Sequence, residues 1–199
     1  MNKKLKAVFL DRDGTISVEV GYIDNVDDFE LYPETAEALA LLRRLGYKLV
    51  VVTNQSGVAR GYFPESTVQE INDKMCMLLR ESGVVIDDVY YCPYFEGGSV
   101  EEYARPSSCR KPDTGMIAQA VQAHNIDLES SLMIGDSLSD IQCGKNAGIA
   151  TILVRTGYGR ESEQKLLQLP EAEQPDLIAE TLYEAALWIK NNFAGGNNE

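Results

Sequence analysis

Apolar residues along this chain alternate between two rhythms. Short unbroken runs, KAVFL (6–10), KLVVVT (48–53), DVYYC (88–92), SLMIGD (131–136) and ATILV (150–154), read as strands apolar enough to be covered on both faces. Between them lie helical patterns. PETAEALALLRRLG (33–46) has proline near its start and glycine at its end, and PESTVQEINDKMCMLLRESG (64–83) repeats that punctuation. PDTGMIAQAVQAH (112–124) and LSDIQCGKNAG (138–148) predict two further helices, and LIAETLYEAALWIKNNF (177–193) a closing one before the polar tail AGGNNE. The stretch 160–176 is polar and rich in Gln and Glu, and 93–112 has no clear period, as functional or mobile loops often do.

Strands alternating with helices require crossovers, and crossovers predict an α/β fold: a mainly parallel sheet with helices on both faces. At 199 residues one domain is expected over 1–199. Ligands on such sheets sit beyond the carboxyl ends of the strands. Polar residues at those ends are therefore where chemistry is sought.

Four groups fall there. Asp11 and Asp13, in FLDRDGTI, lie two positions apart where the first strand stops, so both carboxylates can project into one pocket while Gly14 lets the chain turn away; an Asx turn is the alternative. TNQSG (53–57) offers a hydroxyl and backbone donors suited to an anion, or an ordinary polar turn. CRKP (109–112) places Arg110 and Lys111 just before a predicted helix start, where anions are favoured, or it is a solvated basic pair. In GDSLSD (135–140), Asp136 follows a strand and Asp140 comes one helical turn later, facing the same site or complementing the helix dipole.

Together the four supply complementary chemistry. Asp11, Asp13 and Asp136 make a hard oxygen site of the kind Mg²⁺ occupies, and Lys111 and Thr53 balance the charge of a phosphoryl group. That is a phosphoryl-transfer constellation.

The totals narrow the partners. Hydrophobic residues make up 44% and charged residues 25%, ordinary for a globular chain, and no apolar run approaches a membrane span. A formal charge of −13 disfavours nucleic acid and anionic membranes, which are held by clustered Lys and Arg. Four cysteines (Cys76, Cys92, Cys109, Cys143) lack the density of a disulfide scaffold, and the basic N-terminus leads into acid without the apolar stretch of a signal peptide. A cytoplasmic setting, a small-molecule partner and a monomer are expected.

In order and spacing these motifs resemble the haloacid dehalogenase superfamily of phosphotransferases: DRDGT, the strand-end Thr53, Lys111 and GDSLSD. Within it FLDRDGTI, GYI, VVVTNQSGVARGYF, YYCP, CRKPDTGM and LVRTG resemble the heptose bisphosphate phosphatase and histidinol phosphatase family, over about residues 6–157. The resemblance implies a Rossmann-like sheet with a minimal cap. It implies Asp11 as nucleophile and Asp13 as acid and base, with Thr53 and Lys111 on the transferring oxygens. Mg²⁺ would lie between Asp11, the Asp13 carbonyl and Asp136, with Asp140 in support. Substrate contacts are implied for Glu19, Gly21, Tyr22, Asn54, Gln55, Ser56 and Arg110. From their loop positions Arg60 and Arg105 are further candidates for an anion pocket. The 7-phosphate of D-glycero-D-manno-heptose 1,7-bisphosphate is the expected target; histidinol phosphate or another small ester, and a catalytically silent phosphate-binding module, are the alternatives.

The chain departs from that family twice. The family commonly carries a zinc bound by a C-x-H pair and a later C-x-C pair, and here these read Cys92-Pro93-Tyr94 and Ser107-Ser108-Cys109. Two thiolates without imidazole cannot complete a four-coordinate site, so no zinc is expected. By the family's geometry the two cysteines still lie close enough for a disulfide under oxidising conditions, and Tyr94 and Phe95 are expected to help hold the loop. Ser137 stands where such phosphatases often have lysine, which bears on the identity of the substrate. His124, the only histidine, is expected at the surface or capping its helix, and Cys76 and Cys143 in the core.

Overall fold

The computed structural model describes residues 4–193. The chain runs β1 (Ala7–Leu10), α1 (Thr35–Arg44), β2 (Lys48–Asn54), α2 (Gly57–Arg60), α3 (Glu65–Glu81), β3 (Asp88–Cys92) and α4 (Gly115–His124). It continues through β4 (Leu132–Gly135), α5 (Leu138–Asn146), β5 (Ala150–Val154), α6 (Gly159–Leu166), β6 (Leu177–Ala179) and α7 (Leu182–Phe193). All strand pairs are parallel, in the order β3-β2-β1-β4-β5-β6. The order reverses at β1: β2 and β3 lie to one side, and the chain then returns to set β4 on the other. Such a switch opens a crevice at the strands' carboxyl ends, and β1 and β4 end there in Asp11 and Asp136.

The period-2 alternation of each strand decides which helices cover which face. Val8, Leu10, Leu49, Val51, Ile134 and Val154 pack with α1, α3 and α7. Ala7, Phe9, Val50, Val52 and Met133 pack with α4 and α5, while Leu153 meets Ile141 and Leu166 of α6 on that same side. Both faces are thus apolar, which is why the strands read as continuous hydrophobic runs. Between β1 and α1 there is no inserted domain among the described residues. The chain instead folds back as a flap, held by the bridges Asp13↔Ser17 and Ser17↔Leu31 and a 3-10 turn at Val26–Asp28.

Three expectations are corrected. Leu177–Ala179 is an edge strand paired to β5, so the closing helix starts at Leu182 and not at 177; an apolar triplet this short fits either period. The polar stretch after Tyr158 contains a helix, α6, whose buried residues are only Gly159, Ser162 and Leu166. Helix α4 begins at Gly115, so Pro112 precedes it by a turn. The tail from residue 194 onward lies outside the described residues. Among the described residues no helix is long and apolar enough to cross a membrane.

Candidate active site

The carboxyl ends of β1, β2 and β4 and the loop before α4 enclose a cavity of about 280 Å³. Asp11, Asp13, Glu19, Gly21, Tyr22, Thr53, Asn54, Gln55, Ser56, Arg110, Lys111 and Asp136 all border it, so the structure brings together the residues that the sequence pointed to.

Lys111 organises the floor. It is 3% exposed, and its Nζ reaches Asp11 Oδ1 at 2.7 Å, Asp140 Oδ1 at 2.6 Å and the Val52 carbonyl at 2.7 Å. These acceptors hold its pKa above the ordinary value in spite of burial. Its loop is fixed by a reciprocal pair: Asn54 Nδ2 donates to the Lys111 carbonyl at 3.1 Å, and the Lys111 N–H donates to Asn54 Oδ1 at 3.0 Å. Asn54 therefore places Lys111 as well as lining the pocket.

Asp11, Asp136 and Asp140 are all buried, with carboxylate oxygens within 4.8 Å of one another. Burial, with the neighbouring Asp140 charge, raises the Asp11 carboxyl, and burial with Asp11 and Asp140 raises that of Asp136. One lysine cannot neutralise three carboxylates, and that lysine together with a hard divalent cation can. The surroundings fit that need. Gly14 and Gly157, both at positive φ, lie so close that a Cβ on either would fall 2.1 or 2.2 Å from Asp136 Oδ2. The main chain thus packs against Oδ2, which also accepts the Tyr158 N–H at 2.7 Å, and Oδ1 has no hydrogen-bond partner among the described residues and is available to a cation. Asp140 lies beneath the cavity: it pairs with Lys111 and also forms a capping box with Ser137 at the start of α5. The Ser137 hydroxyl is used in that box, where a lysine would have pointed a charge.

Asp13 is different. Burial would raise its pKa, but Arg12, Gln55 and Ser17 outweigh burial and lower it. Arg12 Nε and Nη2 donate to its two oxygens at 2.9 and 2.8 Å, and Gln55 Nε2 donates at 2.8 Å while also reaching Thr53 Oγ1 at 3.0 Å. Arg12 is 1% exposed and is anchored in turn by Asn72 Oδ1 at 2.8 Å. Sequence reading passed over Arg12; its only signal was a cation set between two site acids.

At the outer wall, Arg110 and Arg60 both stack on Phe95, at 5.0 and 4.1 Å from the ring centre. Among the described residues neither meets a carboxylate. Burial and the nearby Arg60 charge lower the pKa of Arg110. Arg60, expected to contact substrate, does not border the cavity; it stands behind Arg110 across their shared stacking on Phe95. Arg105 is corrected: it is exposed, stacks on Tyr94 at 4.4 Å and stays outside the cavity.

Cys92 and Cys109 are joined by a disulfide with Cα atoms 5.6 Å apart, which ties the end of β3 to the loop bearing Arg110. Tyr94 packs on Tyr103 in that loop, and Ser107 Oγ lies 3.1 Å from Cys109 Sγ. His124 ends α4 and meets Asp88 at 2.9 Å, at the amino end of β3 and away from the cavity. Cys143 is buried and Cys76 half-buried. Sequence reading also missed Phe63, Ser139 and Tyr158 at the cavity: Phe63 and Tyr158 lie outside regular elements and leave no periodic signal, and Ser139 is one of several polar residues in the first turn of α5.

Residues 108–185 match a family model described as "HAD-hyrolase-like". The chain is 44% identical over 195 residues to the D-glycero-beta-D-manno-heptose-1,7-bisphosphate 7-phosphatase of Escherichia coli (strain K12), covering 98% of this chain and 93% of that one. It is 43% identical over 158 residues to the D-glycero-alpha-D-manno-heptose-1,7-bisphosphate 7-phosphatase of Photorhabdus laumondii subsp. laumondii, covering 79% and 86% respectively. The crystal structure of D,D-heptose 1,7-bisphosphate phosphatase from B. bronchiseptica, complexed with magnesium and phosphate, matches with a TM-score of 0.80 at 33% identity, covering 94% of this chain and 99% of that chain.

Proposed function

Since the chain belongs to the heptose-1,7-bisphosphate 7-phosphatase family of haloacid dehalogenase-like hydrolases, we propose that it hydrolyses the 7-phosphate of a D-glycero-D-manno-heptose 1,7-bisphosphate, acting as a monomer in the cytoplasm. It is a phosphoric monoester hydrolase. One observation carries the choice of a bisphosphate: a single cavity has two cationic ends, Lys111 sunk among carboxylates and Arg110 at the wall with no carboxylate partner among the described residues. The first end suits a reacting phosphoryl group, the second an anion that is held and not cleaved.

Lys111 occupies Oδ1 of Asp11, which leaves Oδ2 free of hydrogen-bond partners among the described residues and available to attack phosphorus. The bond from Oδ2 to phosphorus forms as the bond to the sugar oxygen breaks, giving an aspartyl-phosphate. Asp13 gives a proton to the leaving oxygen, then takes one from the water that releases inorganic phosphate and restores Asp11. As described, Asp13 is held ionised, so before the first transfer its pairing with Arg12 must loosen and its carboxylate must take up a proton from solvent, which it then gives to the leaving oxygen. Thr53 and Lys111 face the transferring oxygens. Asp11, Asp136 and the Asp13 carbonyl would hold Mg²⁺, which supplies charge neutralisation at the phosphoryl group. Arg110, backed by Arg60, holds the second phosphate, while Glu19, Gly21, Tyr22, Gln55 and Ser56 border the space left for the sugar.

The test is Mg²⁺-dependent phosphate release from both anomers of the heptose bisphosphate, beside histidinol phosphate and fructose 1,6-bisphosphate. One heptose anomer is expected to lead in kcat/KM by about a hundredfold, roughly 2.7 kcal/mol of differential transition-state binding. Equal, low rates on all of them would overturn the substrate and leave the reaction class standing.

A further inference from the structure

Helix α3 carries an amide in its apolar stripe. Val68, Ile71, Met75 and Leu79 recur at helical spacing and pack inward, and Asn72 lies on the same stripe, 6% exposed. Stability does not explain an asparagine there. It forms helix less readily than leucine, and its Nδ2 is buried with no hydrogen-bond partner among the described residues, which costs free energy. What the position gains lies on the other half of the amide: Oδ1 accepts from Arg12 Nη1 at 2.8 Å.

Arg12 links that amide to the site. Its Nε and Nη2 donate to the two oxygens of Asp13, so the planar guanidinium and the carboxylate meet as a fork, and Nη1, the nitrogen left over, is the one that Asn72 holds. The anchor is in the core and the carboxylate at the cavity: the Arg12 side chain is 1% exposed and that of Asp13 19%. Asn72 itself does not border the cavity. Asp13 has two tasks that pull against each other. It must leave Arg12 to take up a proton, and it must be back in line, ionised, when water attacks. An arginine tied only to Asp13 would be free to follow the carboxylate or to turn toward a phosphate. With Nη1 bound to α3, Arg12 stays in place while Asp13 moves, and the fork has a fixed half on which to close.

We infer that Asn72 is a positioning residue: from outside the cavity it holds Arg12 in place and so sets the Asp13 carboxylate for both proton transfers. The inference rests on the reading of Asp13 as acid and base, and it stands whichever sugar phosphate is the substrate.

Leaving groups separate positioning from packing. p-Nitrophenolate departs without a proton, so kcat/KM for p-nitrophenyl phosphate, which reports the first step, does not call on Asp13 as an acid; a sugar alkoxide does. Asn72→Leu restores the apolar stripe and removes the acceptor. It is expected to lower kcat/KM about tenfold for heptose 1,7-bisphosphate, or for whichever sugar phosphate wild type prefers in its place, and to leave kcat/KM for p-nitrophenyl phosphate within about twofold. Its kcat should fall about tenfold on both esters, because the second step needs Asp13 as base in either case. Asn72→Asp keeps an acceptor in the same place and is expected to stay within about threefold of wild type; a variant as slow as Asn72→Leu would overturn the acceptor as the cause. A partly unfolded protein loses the same factor on both esters, so an equal fall in kcat/KM would overturn the inference, as would wild-type values on both. Should Asn72→Leu fail to fold, Asn72→Ala takes its place with the same expected split. Asp13→Asn tests the premise and is expected to lose at least about a hundredfold in kcat/KM on the sugar phosphate. Wild-type rates there would remove Asp13 as the acid and the inference with it, whereas a loss confined to Asp13→Asn would overturn the part of Asn72 alone.

Discussion

Asp11 and Asp136, at the carboxyl ends of the sheet, titrate in the opposite direction to Asp87 and Asp176 at its amino ends. At the carboxyl ends, Asp11 and Asp136 are raised, because burial and mutual crowding exceed what Lys111 offsets. At the amino ends, Asp87 and Asp176 are lowered. Burial would raise each, but Asp87 gathers Lys48, the Leu49 N–H and Arg43, and Asp176 gathers the Thr151 N–H, Lys145 and the Thr151 hydroxyl. The same side chain stabilises one end and loads charge on the other. Where every carboxylate has its own cation and backbone donor, the fold gains; where three share one lysine, the fold forgoes stability to keep a site that a phosphate and a cation can complete.

The widest separation between the ends should appear in Asp11→Asn. Turnover on any substrate is expected to fall by at least about a thousandfold, since the nucleophile is lost while Lys111 keeps an acceptor near it. Phosphate release under saturating Mg²⁺ measures this. A variant retaining a tenth of wild-type activity would move the nucleophile elsewhere and break the contrast at its functional end.

Asp136→Asn tests the load itself. A raised carboxyl costs stability once pH exceeds its ordinary value near 4, so in metal-free buffer at pH 7 the variant should be more stable than wild type by about 1 to 2 kcal/mol. Saturating Mg²⁺ should reverse the order: at a hundred times its Kd it stabilises wild type by about 2.7 kcal/mol and the variant much less. Thermal melts with and without Mg²⁺ read both. Equal stabilisation of the two proteins would remove Asp136 from the metal site.

How much of this was legible in the sequence follows the same divide. The five longer strands and five helices (α1, α3, α4, α5 and α7) were readable because buried faces impose a period; Asp11, Asp13, Thr53 and Asp136 stood out as polar residues ending apolar runs, and Lys111 as a cation before a helix start. Partners joined across long separations were not. Nothing in the spacing links Arg12 to Asn72, Arg60 to Phe95 or Tyr22 to Tyr62. β6 and α6 escaped for a related reason: three residues at an edge, and a helix with few buried positions, are too short or too polar to show a period. The loop 93–112 was expected to be held without zinc, partly by Tyr94 and Phe95. Its disulfide needed both cysteines brought to one place, which family geometry suggested and local pattern alone could not.

The smallest effect probes the other end. Asp87 bonds Lys48 at 2.7 Å, Arg43 at 2.8 Å and the Leu49 N–H at 2.9 Å, joining α1, β2 and β3 away from the cavity. A lowered carboxyl contributes stability that is full above its ordinary value near 4 and is lost as pH falls through its folded-state value. Solvent screens this partly exposed cluster, so Asp87→Asn should cost only about 1 kcal/mol at pH 7, with kcat/KM unchanged. Urea melts from pH 7 down to pH 3 should show the two proteins converging, because acid removes from wild type the charge that the variant lacks throughout. A gap that persisted at pH 3 would assign the loss to altered packing or hydrogen bonding instead of charge, and the contrast between the two ends would then rest on Asp176.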